Sequence, residues 1–68
     1  MIDYSLLWKT MKKRGITKYQ LVHTYGFSNG TIDRLRKDEH ISTVTLERLC
    51  AILKCTPNDI LRFTGSSH

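Results

Sequence analysis

The sequence predicts an all-α fold of five short helices. In several windows apolar residues recur three and four positions apart, which is the spacing of a buried helix face. Serine, threonine or glycine stands at nearly every boundary between these windows, and such residues start or end helices. Valine and isoleucine are scattered without the alternation that marks a strand, so no strand is predicted. The 68 residues suffice for one small domain, with a core over about 4–63 and a frayed tail over 64–68.

The first helix is predicted over about 4–14, with Asp3 as its N-cap. Its apolar face comprises Tyr4, Leu7, Trp8 and Met11. Gly15 is expected to end it, because glycine readily adopts the left-handed conformation that follows many helices. Trp8 is therefore expected to lie in the core.

Two shorter helices follow, separated by a tight turn. Thr17 is expected to cap the second helix, which stops at Gly26, and Ser28 to cap the third, which runs to about Lys37. Phe27 would fix the turn against the core. The apolar residues that face inward on this pair are Leu21, Val22, Ile32 and Leu35. Two helices in this arrangement, the second with a polar outer face, form a helix-turn-helix, a shape that enters the major groove of DNA.

Two more helices complete the prediction. Ser42 caps the fourth, whose apolar positions are Leu46, Leu49, Cys50 and Leu53. Thr56 and Pro57 open a short fifth helix, because proline lacks an N–H that would have no partner at the first helical position. The apolar contacts of the fifth helix are Ile60, Leu61 and Phe63. The same three residues, with the tail, are also a candidate dimer surface, although core packing explains them more simply.

Positive charge is concentrated in the first half of the chain. The formal net charge is +5, and eight of the 11 lysines and arginines lie within residues 1–37, where the acidic residues are Asp3 and Asp33. By itself this charge is equally well explained by solvated helix faces. Because it coincides with the helix-turn-helix, it indicates a surface that attracts a polyanion.

Catalytic and metal chemistry are not indicated. His23, His40 and His68 fall on a predicted helix, a loop and the tail, with no nucleophile at a spacing that would force proximity. Cys50 and Cys55 are five apart, which on a helix does not place both sulfurs on one side. The sequence therefore predicts neither an enzyme nor a metal site, cofactor or small-molecule substrate, and it favours Cys50 as a small core residue.

No signal peptide and no apolar run of membrane-spanning length is recognised in the sequence. With two cysteines there is no disulfide framework either. We therefore expect a cytoplasmic protein with reduced thiols and no contact with a membrane.

A family resemblance rests on several segments together. They are the turn Gly26-Phe27-Ser28, the segment 41–53, the closing segment 55–61 and the order of the helices. Over residues 4–63 the sequence resembles the DNA-binding domain of the phage repressor and Cro type, also called Xre-like, and especially its small stand-alone regulators. The resemblance implies a five-helix bundle of the lambda-repressor-like DNA-binding type. It also implies a transcriptional regulator, expected to be a repressor, that binds double-stranded DNA. Because one domain this small reads only a few base pairs, we expect a homodimer on a palindromic operator.

The resemblance also implies which residues contact DNA, through a third helix (about 28–37) in the major groove. The expected base contacts are Ser28, Asn29, Gly30, Asp33 and Arg34. The expected contacts with phosphate or sugar are Thr17, Lys18, Tyr19, Thr31 and Lys37. Arg34 is the leading reader because a guanidinium can bond both acceptors of guanine, and Asn29 could pair with adenine in the same two-point manner.

Two of these positions leave alternatives open. Gly30 marks either a close approach of the backbone to DNA or a weak point in the helix, since glycine costs roughly 1 kcal/mol relative to alanine in a helix. Asp33 could accept a hydrogen bond from a cytosine amino group, or it could pair with Lys37 one turn further on.

These same two residues support an alternative function. A glycine and an aspartate on the reading helix are compatible with a protein-binding regulator of the same fold, such as an antitoxin, an antirepressor or a docking module. Sequence-specific binding to duplex DNA with a steep salt dependence would distinguish the DNA-binding function from this alternative, because each phosphate contact releases counterions.

Overall fold

The computed structural model describes residues 1–64, which form a mostly helical domain. In this part of the chain four α-helices surround one apolar core. They are α1 (Ser5–Arg14), α2 (Lys18–His23), α3 (Asn29–Arg36) and α4 (Thr43–Leu53). A 3₁₀ turn, Pro57–Asp59, follows α4, and two short strands, β1 (Ile2–Asp3) and β2 (Arg62–Phe63), pair antiparallel.

Three predicted helix starts are confirmed. The hydroxyls of Thr17, Ser28 and Ser42 each accept a hydrogen bond of 3.1 Å from the backbone N–H three residues further on. At α2 the side chain of Gln20 accepts in return from the backbone N–H of Thr17 at 2.9 Å, which completes a capping box. These caps satisfy donors that have no partner inside the helix, so local sequence sets where α2, α3 and α4 begin.

The start of α1 differs from the prediction. Tyr4, not Asp3, occupies the N-cap position, and its side chain makes no capping hydrogen bond. Asp3 lies in β1, where its carboxylate accepts from the backbone N–H of Ser5 at 2.8 Å and pairs with Arg62 at 3.1 Å. The hydrogen bond from the Ser5 N–H lowers the pKa of Asp3 most, and the contact with Arg62 lowers it further. Asp3 therefore still stabilises the first turn of α1 through Ser5, although it lies in β1 and not at the N-cap position.

The turn between α2 and α3 begins earlier than predicted. α2 ends at His23, and the expected stop, Gly26, lies inside the turn with φ of +79°. The backbone N–H of Phe27 donates to the carbonyl of Leu21 at 2.9 Å, which folds the chain back before α3 begins. The side chain of Phe27 is buried in the core, as predicted.

The predicted fifth helix is wrong beyond its first turn. The predicted start at Thr56 and Pro57 is confirmed, because Pro57 takes the first position of a 3₁₀ turn and the Thr56 N–H donates to Asp59 at 3.3 Å. The chain then leaves the helical path, and β2 pairs with β1, although no strand was predicted. A single turn is a poor nucleus for a helix, so pairing with the distant N-terminal strand decides the conformation. The tail predicted over 64–68 lies outside the described residues apart from Thr64.

The core confirms most of the apolar positions predicted from helical spacing. Its buried side chains are Tyr4, Leu7, Met11, Leu21, Phe27, Ile32, Leu35, Leu49, Leu53 and Ile60. Trp8 is half-buried and packs on the edge of this cluster rather than inside it. The prediction that Phe63 packs inward is wrong, since its side chain is 76% exposed on β2.

The two cysteines are free thiols, half-buried against the core. Lys54 adopts a left-handed conformation, and the backbone N–H of Cys55 then donates to the carbonyl of Cys50 at 3.0 Å. Cys55 lies beyond the end of α4, so the spacing of five residues between the cysteines is not a helical spacing in this structure. Burial raises the pKa of both. Within residues 1–64 no three His, Cys, Asp or Glu side chains are grouped as metal ligands would be. None of the helices in this part of the chain combines the length and hydropathy of a membrane span.

Candidate nucleic-acid interface

The two sides of α3 differ sharply in exposure. Ile32 and Leu35 are buried in the core, whereas Asn29, Gly30 and Arg34 are exposed. An α-helix repeats every 3.6 residues, so one group of residues lies on the side opposite Ile32 and Leu35. This outer face comprises Gly30, Asp33, Arg34 and Lys37. The polar outer face and apolar inner face predicted for this helix are therefore confirmed.

An open depression of about 510 Å³ lies between the start of α2 and one side of α3. It is lined by Lys18, Asn29, Gly30, Ile32, Asp33 and Arg36. The structure thus brings Lys18 of α2 together with Asn29, Gly30 and Asp33 of α3, four of the residues predicted to contact DNA. Arg34 lies on the same helix but does not line this depression.

Asp33 is the centre of a small charge cluster. Its two carboxylate oxygens lie 2.8 Å from Arg36 Nη2 and 3.0 Å from Lys37 Nζ. The hydrogen bonds from Arg36 and Lys37 lower the pKa of Asp33, and Asp33 in turn raises the pKa of Lys37. The pairing with Lys37 that the sequence left open is confirmed. A contact of Asp33 with a base stays a prediction.

Arg34 and Asn29 present their side chains to solvent. Within residues 1–64 neither side chain takes part in an ion pair or a hydrogen bond to another protein group. Gly30 lies between them in sequence, and a Cβ built there would meet only the hydroxyl of Ser28, at 3.8 Å. Packing inside the domain therefore does not explain the glycine.

The hydroxyls at the start of α3 are already engaged. Ser28 Oγ accepts from the backbone N–H of Thr31 at 3.1 Å and lies 3.0 Å from Thr31 Oγ1. This pair fixes the first turn of the helix that carries Asn29 and Gly30. Contacts of Ser28 and Thr31 with DNA stay predictions.

The start of α2 presents a cation and an aromatic ring. Lys18 Nζ lies 4.7 Å from the centre of the Trp8 ring, a cation–π contact that links α2 to α1. The exposed ring of Tyr19 stacks on His23, with 4.1 Å between the ring centres. Thr17 is engaged in the capping box. Contacts of these residues with phosphate or sugar stay predictions.

The sequence matches the model of the Cro/C1-type helix-turn-helix DNA-binding domain over residues 6–66. The chain belongs to this family. It is also similar to the crystal structure of the transcriptional regulator VanUg, form II, with a TM-score of 0.82 and 33% sequence identity. That similarity covers 90% of this chain and 81% of that chain. No match was found among curated proteins. The resemblance inferred from the segments around Gly26 and over 41–61 is therefore confirmed.

In this Cro/C1-type domain two arginines that were not among the predicted DNA contacts also touch the helix-turn-helix. Arg36 lines the depression and pairs with Asp33, and the spacing of three residues could have indicated it. Arg48, on α4, donates a hydrogen bond to the carbonyl of Tyr25, and its guanidinium lies 4.2 Å from the centre of the Phe27 ring. Because Arg48 and Tyr25 are 23 positions apart, no local spacing could have indicated this contact.

Proposed function

We propose that this Cro/C1-type domain is a sequence-specific transcriptional repressor that reads the major groove of double-stranded DNA with α3. The observation that carries the proposal is the polar surface of α3: Gly30 and Arg34 are exposed on its outer face, and Asn29 and Gly30 line a depression shared with Lys18. A helix fits the major groove, and its exposed polar residues then lie against base edges. Repression follows simply, because a domain that occupies an operator excludes other proteins from it.

The proposed base contacts are Ser28, Asn29, Gly30, Asp33 and Arg34. Arg34 is the main reader because its guanidinium has no ion-pair partner within residues 1–64 and can bond guanine at two points. The exposed amide of Asn29 suits adenine in the same way. The lack of a side chain at Gly30 lets the backbone approach the duplex closely.

The proposed contacts with phosphate and sugar are Thr17, Lys18, Tyr19, Thr31 and Lys37. The first three lie at the N-cap and in the first turn of α2, whereas Thr31 lies in α3 and Lys37 is its C-cap. Lys18 and Lys37 would neutralise phosphates, and the hydroxyls would donate hydrogen bonds to phosphate oxygens. Such contacts set the register of the helix without reading sequence.

A homodimer on a palindromic operator completes the proposal. One domain of this size reads only a few base pairs, and two copies related by a two-fold axis would read half-sites about 34–36 Å apart. Of the apolar residues considered for the dimer surface, Ile60 is buried in the core, whereas Phe63 is exposed on β2. We therefore propose Phe63 as part of that surface.

The salt dependence of duplex binding tests the proposal. Fluorescence anisotropy with a labelled random-sequence duplex gives the affinity at each salt concentration, and the slope of log K against log salt is about −0.9 per phosphate neutralised. We expect a slope that corresponds to several phosphate contacts. A protein that fails to bind duplex DNA even at low salt would contradict the proposal and favour the protein-binding regulator.

A further inference from the structure

Arg48 reaches from α4 to the turn that joins α2 and α3. Its Nη2 donates to the carbonyl oxygen of Tyr25, and its guanidinium carbon lies 4.2 Å from the centre of the Phe27 ring. Both contacts fall on the four-residue turn 24–27. One exposed side chain of α4 therefore touches the connection on which the orientation of α3 depends.

The first half of the turn is held by backbone hydrogen bonds, since the N–H groups of Thr24 and Tyr25 donate to the carbonyl of Gln20 at 2.8 and 3.1 Å. Gly26 adopts φ of +79°, a region open to glycine but also one that glycine leaves easily. The Phe27 N–H donates to the Leu21 carbonyl, and the Phe27 ring is buried in the core. Arg48 adds a charge-assisted hydrogen bond on one side of Gly26 and a stacking contact on the other.

We propose that Arg48 is a positioning residue for DNA binding: it locks the turn 24–27 and thereby fixes the angle at which α3 meets the groove. The inference rests on the proposed function. A planar guanidinium can donate to a carbonyl and stack on an aromatic ring at once, which the ammonium group of lysine does not reproduce. The competing role for Arg48 is direct contact with a phosphate, for which a lysine serves as well.

Two variants of Arg48 and one matched control separate these roles. Arg48→Lys keeps the positive charge and loses the planar guanidinium, whereas Arg48→Ala loses both. The control is Arg14→Ala, because Arg14 also donates to a backbone carbonyl, that of Leu53 at 2.9 Å, but at the other end of α4. Each protein is titrated with its preferred duplex and with a random-sequence duplex over a range of salt concentrations.

A positioning role predicts that both Arg48 variants lose affinity for the preferred duplex by about tenfold while affinity for the random duplex changes little. The salt slope of Arg48→Lys should equal that of the wild type, and Arg14→Ala should keep the wild-type preference between the duplexes. Wild-type affinity in Arg48→Lys, together with a slope reduced by about 0.9 in Arg48→Ala, would show a phosphate contact and overturn the inference.

Amide hydrogen exchange of the free protein provides a second readout that needs no DNA. The Phe27 N–H, which donates to Leu21, should exchange faster in both Arg48 variants than in the wild type or in Arg14→Ala. An unchanged Phe27 exchange rate would overturn the inference. If the wild type prefers no duplex, the proposed function is contradicted, and with it the role of Arg48 in binding. Faster exchange would still show that Arg48 holds the turn.

Discussion

Asp33 and Arg34 are neighbours on the outer face of α3, yet they present different chemistry to a duplex. Asp33 is paired with Arg36 and Lys37, so these three side chains together carry one net positive charge. The guanidinium of Arg34 has no such partner within residues 1–64. Arg34 is therefore the side chain best suited to read a base, whereas Asp33 restrains the two cations beside it.

Replacing Arg34 by alanine should weaken binding to the preferred duplex by about 1–3 kcal/mol and relax the preference at one base position. The reason is that a bidentate contact with guanine is lost while the phosphate contacts remain. Competition with duplexes changed at single positions measures both effects. Arg62→Ala is the control, because Arg62 pairs with Asp3 on the strand pair. Unchanged binding of the preferred duplex by Arg34→Ala would show that Arg34 is not a reader.

Replacing Asp33 by asparagine should raise affinity for a random-sequence duplex, and it should weaken the preference at one base position of the preferred duplex if the proposed base contact of Asp33 forms. The substitution frees Arg36 and Lys37, and each cation that gains a phosphate contact steepens the salt slope by about 0.9. Asp3→Asn serves as the control, since Asp3 is also paired with an arginine but lies on β1. An unchanged preference at every base position would show that Asp33 reads no base, and an unchanged affinity for the random-sequence duplex would show that its pairing does not hold Arg36 and Lys37 away from phosphates.

Two side-chain contacts show which interactions can be predicted from the sequence and which cannot. The pairing of Asp33 with Lys37 could be predicted because the two lie one helical turn apart. The contact of Arg48 with Tyr25 could not, because it joins residues 23 positions apart and depends on how α4 packs against the turn. The spacing of residues along one helix therefore predicts contacts such as Asp33–Lys37, but it does not predict contacts between distant elements such as Arg48–Tyr25.

The helices and strands also differ in whether they could be predicted from local sequence. The starts of α2, α3 and α4 could be predicted from Thr17, Ser28 and Ser42, because a cap satisfies its own helix. The strand pair could not, because it joins the two ends of the described chain. There the N–H of Thr64 donates to the carbonyl of Met1 at 2.7 Å, and the Met1 amine donates back at 2.8 Å. The same pairing explains why the fifth helix stops after one turn.

Gly30→Ala tests whether α3 contains a weak point or a contact surface. Since a Cβ there meets only Ser28 Oγ at 3.8 Å, alanine should stabilise the domain by about 0.4–1 kcal/mol. If the backbone at Gly30 approaches the duplex, the same methyl group should weaken binding to the preferred duplex. Thermal melting and duplex titration measure the two effects.

Gly26→Ala is the matched control for Gly30→Ala. Gly26 has φ of +79°, so alanine there is strained and should lower stability. A Gly30→Ala protein that gains stability and keeps full affinity would show that Gly30 touches no DNA, and the proposed contact at that position would be wrong.

At the scale of the whole molecule, a core of this size leaves little stability to spare. A domain of about 60 residues buries only about 60% of the surface that its unfolded chain exposes. The core side chains come from every helix, so α3 is held in place by residues far from the interface. Presentation of the outer face of α3 consequently depends on the integrity of the entire core.

Leu49→Ala should therefore unfold much of the protein. Leu49 is fully buried on α4, and a leucine-to-alanine change at such a site costs about 2–5 kcal/mol. Denaturant titration followed by circular dichroism measures the loss. Val44→Ala, on the same helix at a 64% exposed position, should change stability by no more than about 0.5 kcal/mol. Equal stability of the two variants would show that the α4 core face has been misassigned.

Selection of bound duplexes from a random pool shows whether the outer face of α3 reads a major groove. For the wild type we predict enrichment of two short inverted half-sites with centres about one helical turn apart. The same selection with Arg34→Ala should lose the preference at one position in each half-site. A pool that remains random after repeated rounds with the folded wild-type protein would show that α3 reads no DNA sequence.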